Sequence, residues 1–172
     1  MGRGPSIGKA GWEAEDGRLR RFQPRDWDDP ELGDWIAALD CAVAAAKGPR
    51  VLVAHSLACL LVAHWLLASP LPVAGVVLVS TPDPEGAKFP PQAKSFANPP
   101  TQKFRCPALM LASSNDPYGT LDYARAMAAH WGSGLIEMGA LGHINAHSGL
   151  GAWPEGRALL AAFVAGVQKR CV

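Results

Sequence analysis

Apolar residues along this chain alternate between short continuous runs and longer stretches with helical spacing. The sharpest change of period falls within residues 50–65, RVLVAHSLACLLVAHW. Residues 51–54 form a compact apolar run, too short for a helix and rich in β-branched side chains, so they are predicted as a buried strand. After His55 and Ser56 the chain continues as an apolar helical run over 57–67. A strand that becomes a helix within two residues leaves one residue at a cramped corner. Ala54 and Ala58 supply small neighbours there, where such corners usually carry glycine.

The flanking pattern predicts further elements. Residues 19–23 read as a short exposed strand. Asp29 is placed as the N-cap and Pro30 as the first residue of a helix. Its apolar face, Leu32, Trp35, Ile36, Leu39 and Val43, stops at Lys47-Gly48-Pro49. Buried strands are predicted at 73–79 and 108–112, a helix at 121–131, a short strand at 134–138 and a closing helix at 154–167. Residues 1–16 are Gly-rich and read as irregular.

Apolar strands alternating with helices predict an α/β fold, a mostly parallel sheet with helices on both faces. No repeat or second domain is evident, so residues 1–172 are read as one domain. The Pro-rich stretch 81–107 has little periodicity. It follows a buried strand, which predicts a lid or pocket wall over the C-terminal edge of the sheet.

Composition narrows the setting. The chain has 172 residues, 49% of them hydrophobic and 18% charged, with a net charge of +1. That balance gives no reason to expect a nucleic-acid or anionic-membrane partner. No apolar run is of membrane-spanning length, and the N-terminus lacks the apolar core of a signal peptide. The four cysteines, Cys41, Cys59, Cys106 and Cys171, are widely spaced without CxxC pairs. They read as buried, reduced thiols of a cytoplasmic protein, not a zinc site or disulfide framework.

Ligands of open parallel sheets bind outside the carboxyl ends of the strands, so the loops after strands carry the candidate chemistry. Ser56 follows the first strong strand, Asp116 the strand at 108–112, and His143 the strand at 134–138. A serine hydroxyl needs a histidine to take its proton, and the histidine needs a carboxylate to hold its tautomer. The order Ser, Asp, His is that of α/β-hydrolases. The Leu57 N–H, just past the corner, is placed to stabilise an oxyanion. Each residue also has a plainer reading: Ser56 as an N-cap, Asp116 as a turn opener, His143 as a loop histidine. Order and strand-end placement together favour the catalytic reading. His147 is the rival base, while His55 adjoins Ser56 and is expected to point away from it. His55, Tyr118, Phe96 and Phe104 are candidates to line a small substrate pocket.

Four segments carry a family likeness: DWDDPELGDWIAALD, VLVAHSLACLLVAHW, ASSNDPYGTLDYA and GHINAHSGLGAWPEGRALL. On these the chain, from about Trp12 onward, resembles the small serine hydrolases of the retinoblastoma-binding-protein-9/YdeN type. The resemblance implies an α/β-hydrolase-like three-layer sandwich. It also implies Ser56 as nucleophile, Asp116 as orienting acid, His143 as base, an ester or related acyl substrate, and no metal or organic cofactor. Ala58 stands where the family has glycine, and His147 where an acidic residue is usual. The family's first strand and Gly-rich turn have only a faint counterpart, within residues 1–17, as a remnant of the oxyanion loop. The fold is therefore expected to be N-terminally truncated and less active, with an apolar strand edge open to homodimer pairing. The incomplete oxyanion loop motivates a second reading, a catalytically silent scaffold that binds a protein partner.

Overall fold

The structure, a computed structural model, describes residues 12–13 and 16–169. Among the described residues, four parallel strands, β1 (Val51–His55), β2 (Gly75–Val79), β3 (Ala108–Ala112) and β4 (Gly134–Glu137), lie in the sheet order β1-β2-β3-β4. The helices are α1 (Leu32–Ala45), α2 (Leu57–Ala68), α3 (Leu121–Trp131) and α4 (Pro154–Gln168). No helix among the described residues is long and apolar enough to cross a membrane.

Strand periodicity divides the core into two layers. Leu52, Ala54, Val76, Leu78, Met110 and Ala112 face a cluster completed by α1, α2 and α3. Val77, Val79, Leu109 and Leu111 face the opposite cluster, closed by Trp12, Trp153 and the α4 residues Leu159, Leu160 and Phe163. Helices thus cover both faces of a parallel sheet, the three-layer arrangement expected from its nearly continuous apolar strands. β2 is buried at all five positions. Each Val or Leu withdrawn from water there stabilises the fold by about 1.5–3 kcal/mol.

Helix ends explain where the elements stop. Thr120 caps α3 by accepting the Tyr123 N–H, and Gly132, at φ 65°, closes it in the left-handed region that glycine tolerates. The expected cap of α1 differs. The helix begins at Leu32 with Glu31 at the N-cap, not at Pro30 with Asp29. Asp26 accepts the N–H groups of Asp28 and Asp29, holding them in a side-chain turn before the helix can begin.

Three other expectations change in the folded chain. Residues 19–23 are not a strand: Phe22 packs on Trp27 and Trp35 with ring centroids 5.1 and 5.6 Å apart, so this segment is fixed by aromatic packing. Cys41 is exposed, Cys106 half-buried and Cys59 buried, all as free thiols, while Cys171 lies outside the described residues. The stretch 81–107 lies largely on the α1–α2–α3 face. Its 3-10 segment (Pro91–Phe96) buries Ala93 and Phe96 in that core, and Ser95 Oγ accepts the Leu32 N–H. Its first residues do approach the sheet's C-terminal edge, where the Asp83 N–H donates to Tyr118 O at 2.8 Å.

Candidate active site

β1 ends at His55, and α2 begins at Leu57. Ser56 between them has φ 56° and ψ −128°, a conformation L residues rarely adopt, with a cost on the order of 1–3 kcal/mol. Its backbone N–H donates to Val79 O at 2.9 Å, and its carbonyl accepts the Cys59 N–H at 2.8 Å. These bonds anchor the corner to β2 and to the first turn of α2. Ser56 stands at the N-cap position of α2, but its side chain makes no capping bond. Leu57 is the first helical residue, and an N–H at that position has no acceptor within the helix.

The Ser56 hydroxyl instead meets His143. Ser56 Oγ lies 2.8 Å from His143 Nε2, and both Asp116 carboxylate oxygens lie 2.9 Å from His143 Nδ1. A carboxylate only accepts, so Nδ1 carries the proton and Nε2 is left to accept from the Ser56 O–H. The His143 and Asp116 side chains are 9% and 3% exposed, which shields the pair from competing water. Asp116 also accepts the Tyr118 N–H at 2.9 Å, so its turn-forming and ring-holding roles coexist.

Two loops converge to make this possible. Ser114 N–H donates to Gly139 O and Met138 N–H to Ala112 O, extending the β3–β4 pairing past the strand ends. Ser113 Oγ accepts the Leu141 N–H and donates to Asn115 Oδ1, which in turn accepts the Gly142 N–H. His143 is thereby fixed between Gly142, at φ 60°, and Ile144, at φ 43°. Positive φ at a β-branched residue is an outlier. With Ser56 and Ser80, also at positive φ, Ile144 makes three non-glycine residues of this kind in the loops that follow strands. The hydroxyls of Ser80 and Thr81, just beyond β2, are buried without a hydrogen-bond partner in the structure.

The other candidates separate. Tyr118 packs against the His143 ring at 4.5 Å between centroids. His55 does not simply turn away: its Nε2 lies 2.9 Å from the His143 carbonyl oxygen, and the two rings are 4.9 Å apart. Phe96 and Phe104 are not at this site. Phe96 packs edge-on against Trp35 and Phe104 stacks on Trp131, because the apolar helical layer offers both rings more contact than an open edge. His147 is exposed on a 3-10 turn (Ala146–Ser148) capped by Asn145, and the ring bonded to Ser56 is that of His143. Of the suggested oxyanion remnant within 1–17, residues 1–11 and 14–15 lie outside the described residues. Trp12 is fixed by stacking on Trp153 and by its indole N–H donating to Ala152 O at 2.9 Å. Ser113, Asn115 and Ile144 carry no sequence signal of their own, although the family-like SSNDPY and GHIN stretches contain them. Among the described residues no group of three His, Cys, Asp or Glu side chains is arranged to hold a metal ion.

Comparison with known proteins bears on the family and the fold. The family described as serine hydrolase matches residues 2–162. A YdeN-like hydrolase from Pectobacterium atrosepticum superposes with a TM-score of 0.83 at 28% identity, over 93% of this chain and 83% of that one. The ydeN gene product of B. subtilis shares the fold with a TM-score of 0.66 at 21% identity, over 80% of this chain and 77% of its own. A monoacylglycerol lipase from Paleococcus ferrophilus does so with a TM-score of 0.56 at 12% identity, over 67% and 68%. No curated protein matches the sequence.

Proposed function

The chain belongs to the serine hydrolase family and has the α/β-hydrolase fold, and from that premise we propose that it cleaves an ester or related acyl bond of a small substrate through Ser56, His143 and Asp116. The observation that carries this reading is the unbroken hydrogen-bonded series from the Ser56 hydroxyl through the His143 ring to the Asp116 carboxylate.

The steps follow from the donors and acceptors. Ser56 Oγ attacks the acyl carbonyl carbon while its proton passes to His143 Nε2. Asp116 stabilises the resulting imidazolium and keeps Nδ1 protonated throughout. The developing oxyanion meets the Leu57 N–H and the positive end of α2, where negative charge is favoured. Collapse breaks the bond to the leaving group, which takes the proton from Nε2. Water then attacks the acyl-enzyme by the reverse sequence. Tyr118, packed on the His143 ring, forms one wall beside the reacting atoms. Free thiols at Cys41, Cys59 and Cys106 fit a reducing compartment, so the cytoplasm is the proposed location.

A fluorophosphonate probe tests the assignment, because it reacts readily with an activated serine and poorly with an ordinary one. The parent protein should be labelled at Ser56 and should turn over p-nitrophenyl acetate, and Ser56→Ala should do neither. Labelling that survives Ser56→Ala would sink the nucleophile assignment. A parent that forms no adduct and shows no turnover would favour the silent scaffold.

A further inference from the structure

We infer that His55 is a positioning residue that keeps His143 in register with the β1 corner while Ser56 carries the acyl group, so that it governs the deacylation half of the cycle; this rests on the function proposed above.

The geometry begins with a bond between distant parts of the chain. A carbonyl oxygen only accepts, so His55 Nε2 carries a proton and donates it to His143 O at 2.9 Å, across 88 positions of sequence. Its ring also lies 4.9 Å from the His143 ring, tilted by 57°. Ile144 anchors this loop in the core beside Val77, Val79 and Trp153, and its side-chain hydrogen bonds from the β3 side come from Ser113, Asn115 and Asp116. From the β1 corner, the loop is reached by Ser56 Oγ and by His55 Nε2.

Only one of those two contacts lasts through the cycle. When Ser56 is acylated its oxygen becomes an ester oxygen, and its proton leaves through Nε2 to the departing group. The Ser56 O–H donor that tied the corner to the ring is then gone. In the next step a water proton moves to Nε2, the water oxygen bonds the acyl carbon, the Ser56 Oγ–carbon bond breaks and Nε2 returns its proton to Oγ. Throughout, the His55 bond falls on a backbone carbonyl that takes no part in the reaction.

Backbone strain sharpens the point. The carbonyl that His55 holds belongs to the peptide unit preceding Ile144, whose φ of 43° is unfavourable for a β-branched residue. The N–H of the same peptide unit donates to Leu141 O at 3.3 Å and Ile144 is buried, so the His55 bond completes the set of contacts that hold Ile144 in its strained state. Releasing it would let the plane rotate, relax Ile144 and displace His143. Displacement by about 1 Å can cost on the order of 10²-fold in rate.

Rapid mixing with p-nitrophenyl acetate separates the acylation burst from the steady phase set by deacylation, and fluorophosphonate labelling follows the reactivity of free Ser56. His55→Leu removes the donor, whereas His55→Gln keeps an N–H near the position of Nε2. The expected result is a steady rate lowered on the order of tenfold or more in His55→Leu, with the burst and the labelling rate close to the parent's. His55→Gln should recover most of the steady rate. Equal slowing of both phases in His55→Leu, no slowing at all, or a His55→Gln as slow as His55→Leu would overturn the inference. If His55→Leu does not fold, His55→Asn replaces it under the same criteria, since its amide reaches the place of Nδ1 and not Nε2. A parent protein without Ser56 labelling or ester turnover would instead overturn the proposed function itself.

Discussion

The side-chain oxygen of Asn115 accepts the backbone N–H of Gly142 at 2.6 Å, joining the loop that bears Asp116 to the loop that bears His143. The same oxygen accepts from Ser113 Oγ, so one amide group ties together two turns that the sheet alone would leave separate. Asn115→Ala should therefore loosen the His143 loop and lower ester turnover roughly 10-fold to 100-fold with little change in KM. Asn115→Asp keeps an acceptor at that place and should retain more turnover than Asn115→Ala. Steady-state kinetics of the pair checks this, and equal losses in both would count against it.

Asp116→Asn offers His143 an amide that can present an N–H where the carboxylate only accepted, which favours the wrong imidazole tautomer. Turnover should fall on the order of 10⁴-fold while the fold survives. His147→Ala, altering an exposed ring, should leave turnover near the parent's. The two substitutions measured side by side decide between His143 and its rival.

Gly119 lies where a Cβ atom would come within 2.4 Å of the Thr81 carbonyl oxygen, a backbone atom that cannot swing aside. Gly119→Ala should displace the turn carrying Asp116 and Tyr118. The expected cost is about 1–3 kcal/mol of stability, together with a loss of activity. Chemical denaturation and turnover measurements should move together.

Asp40 of α1 accepts the indole N–H of Trp65 at 2.7 Å and the hydroxyl of Ser69 at 2.6 Å, both belonging to the far end of α2. Asp40→Ala leaves those donors without their acceptor and should cost about 1–3 kcal/mol in unfolding free energy. Because this contact lies on the helical face, turnover per folded molecule should be unchanged.

Asp16 bonds Arg18 through both its carboxylate oxygens, which holds its pKa down to about 2 from 3.8. The unfolded chain therefore binds this proton more readily than the folded one. The pair's contribution is present above pH 3.8 and is lost as the pH falls through about 2. The Arg18 guanidinium is exposed and the Asp16 carboxyl partly so, and solvent screening keeps the effect small. Thermal melts of the parent and of Arg18→Ala should differ slightly above that range and converge in strong acid.

Much of the layout was legible because it depends on local pattern. The apolar run 108–112 and the helix 121–131 have the predicted bounds, since a strand bounded by turn residues and a helix between Thr120 and Gly132 need no distant information. The placement of Ser56, Asp116 and His143 at one edge followed from parallel strand order, which brings every loop after a strand to the same side. Phe96 and Phe104 were misplaced because apolar character says that a ring will be buried, not against which neighbour. Asp29 lost its capping role because Ser95, distant in the chain, accepts the Leu32 N–H that a cap at Asp29 would have taken.

By itself, then, the sequence determined the parallel α/β arrangement and which three side chains share an edge, because periodicity and chain order are written locally. Only the tertiary structure decided that their donor and acceptor atoms come within 2.8 to 2.9 Å of one another. It also brought His55 onto the carbonyl of His143, drew Asn115 to Gly142 and put Ile144 into the left-handed region. Each of these joins residues far apart in the chain or forces a conformation against local preference, and packing of the assembled loops supplies what no short segment can specify.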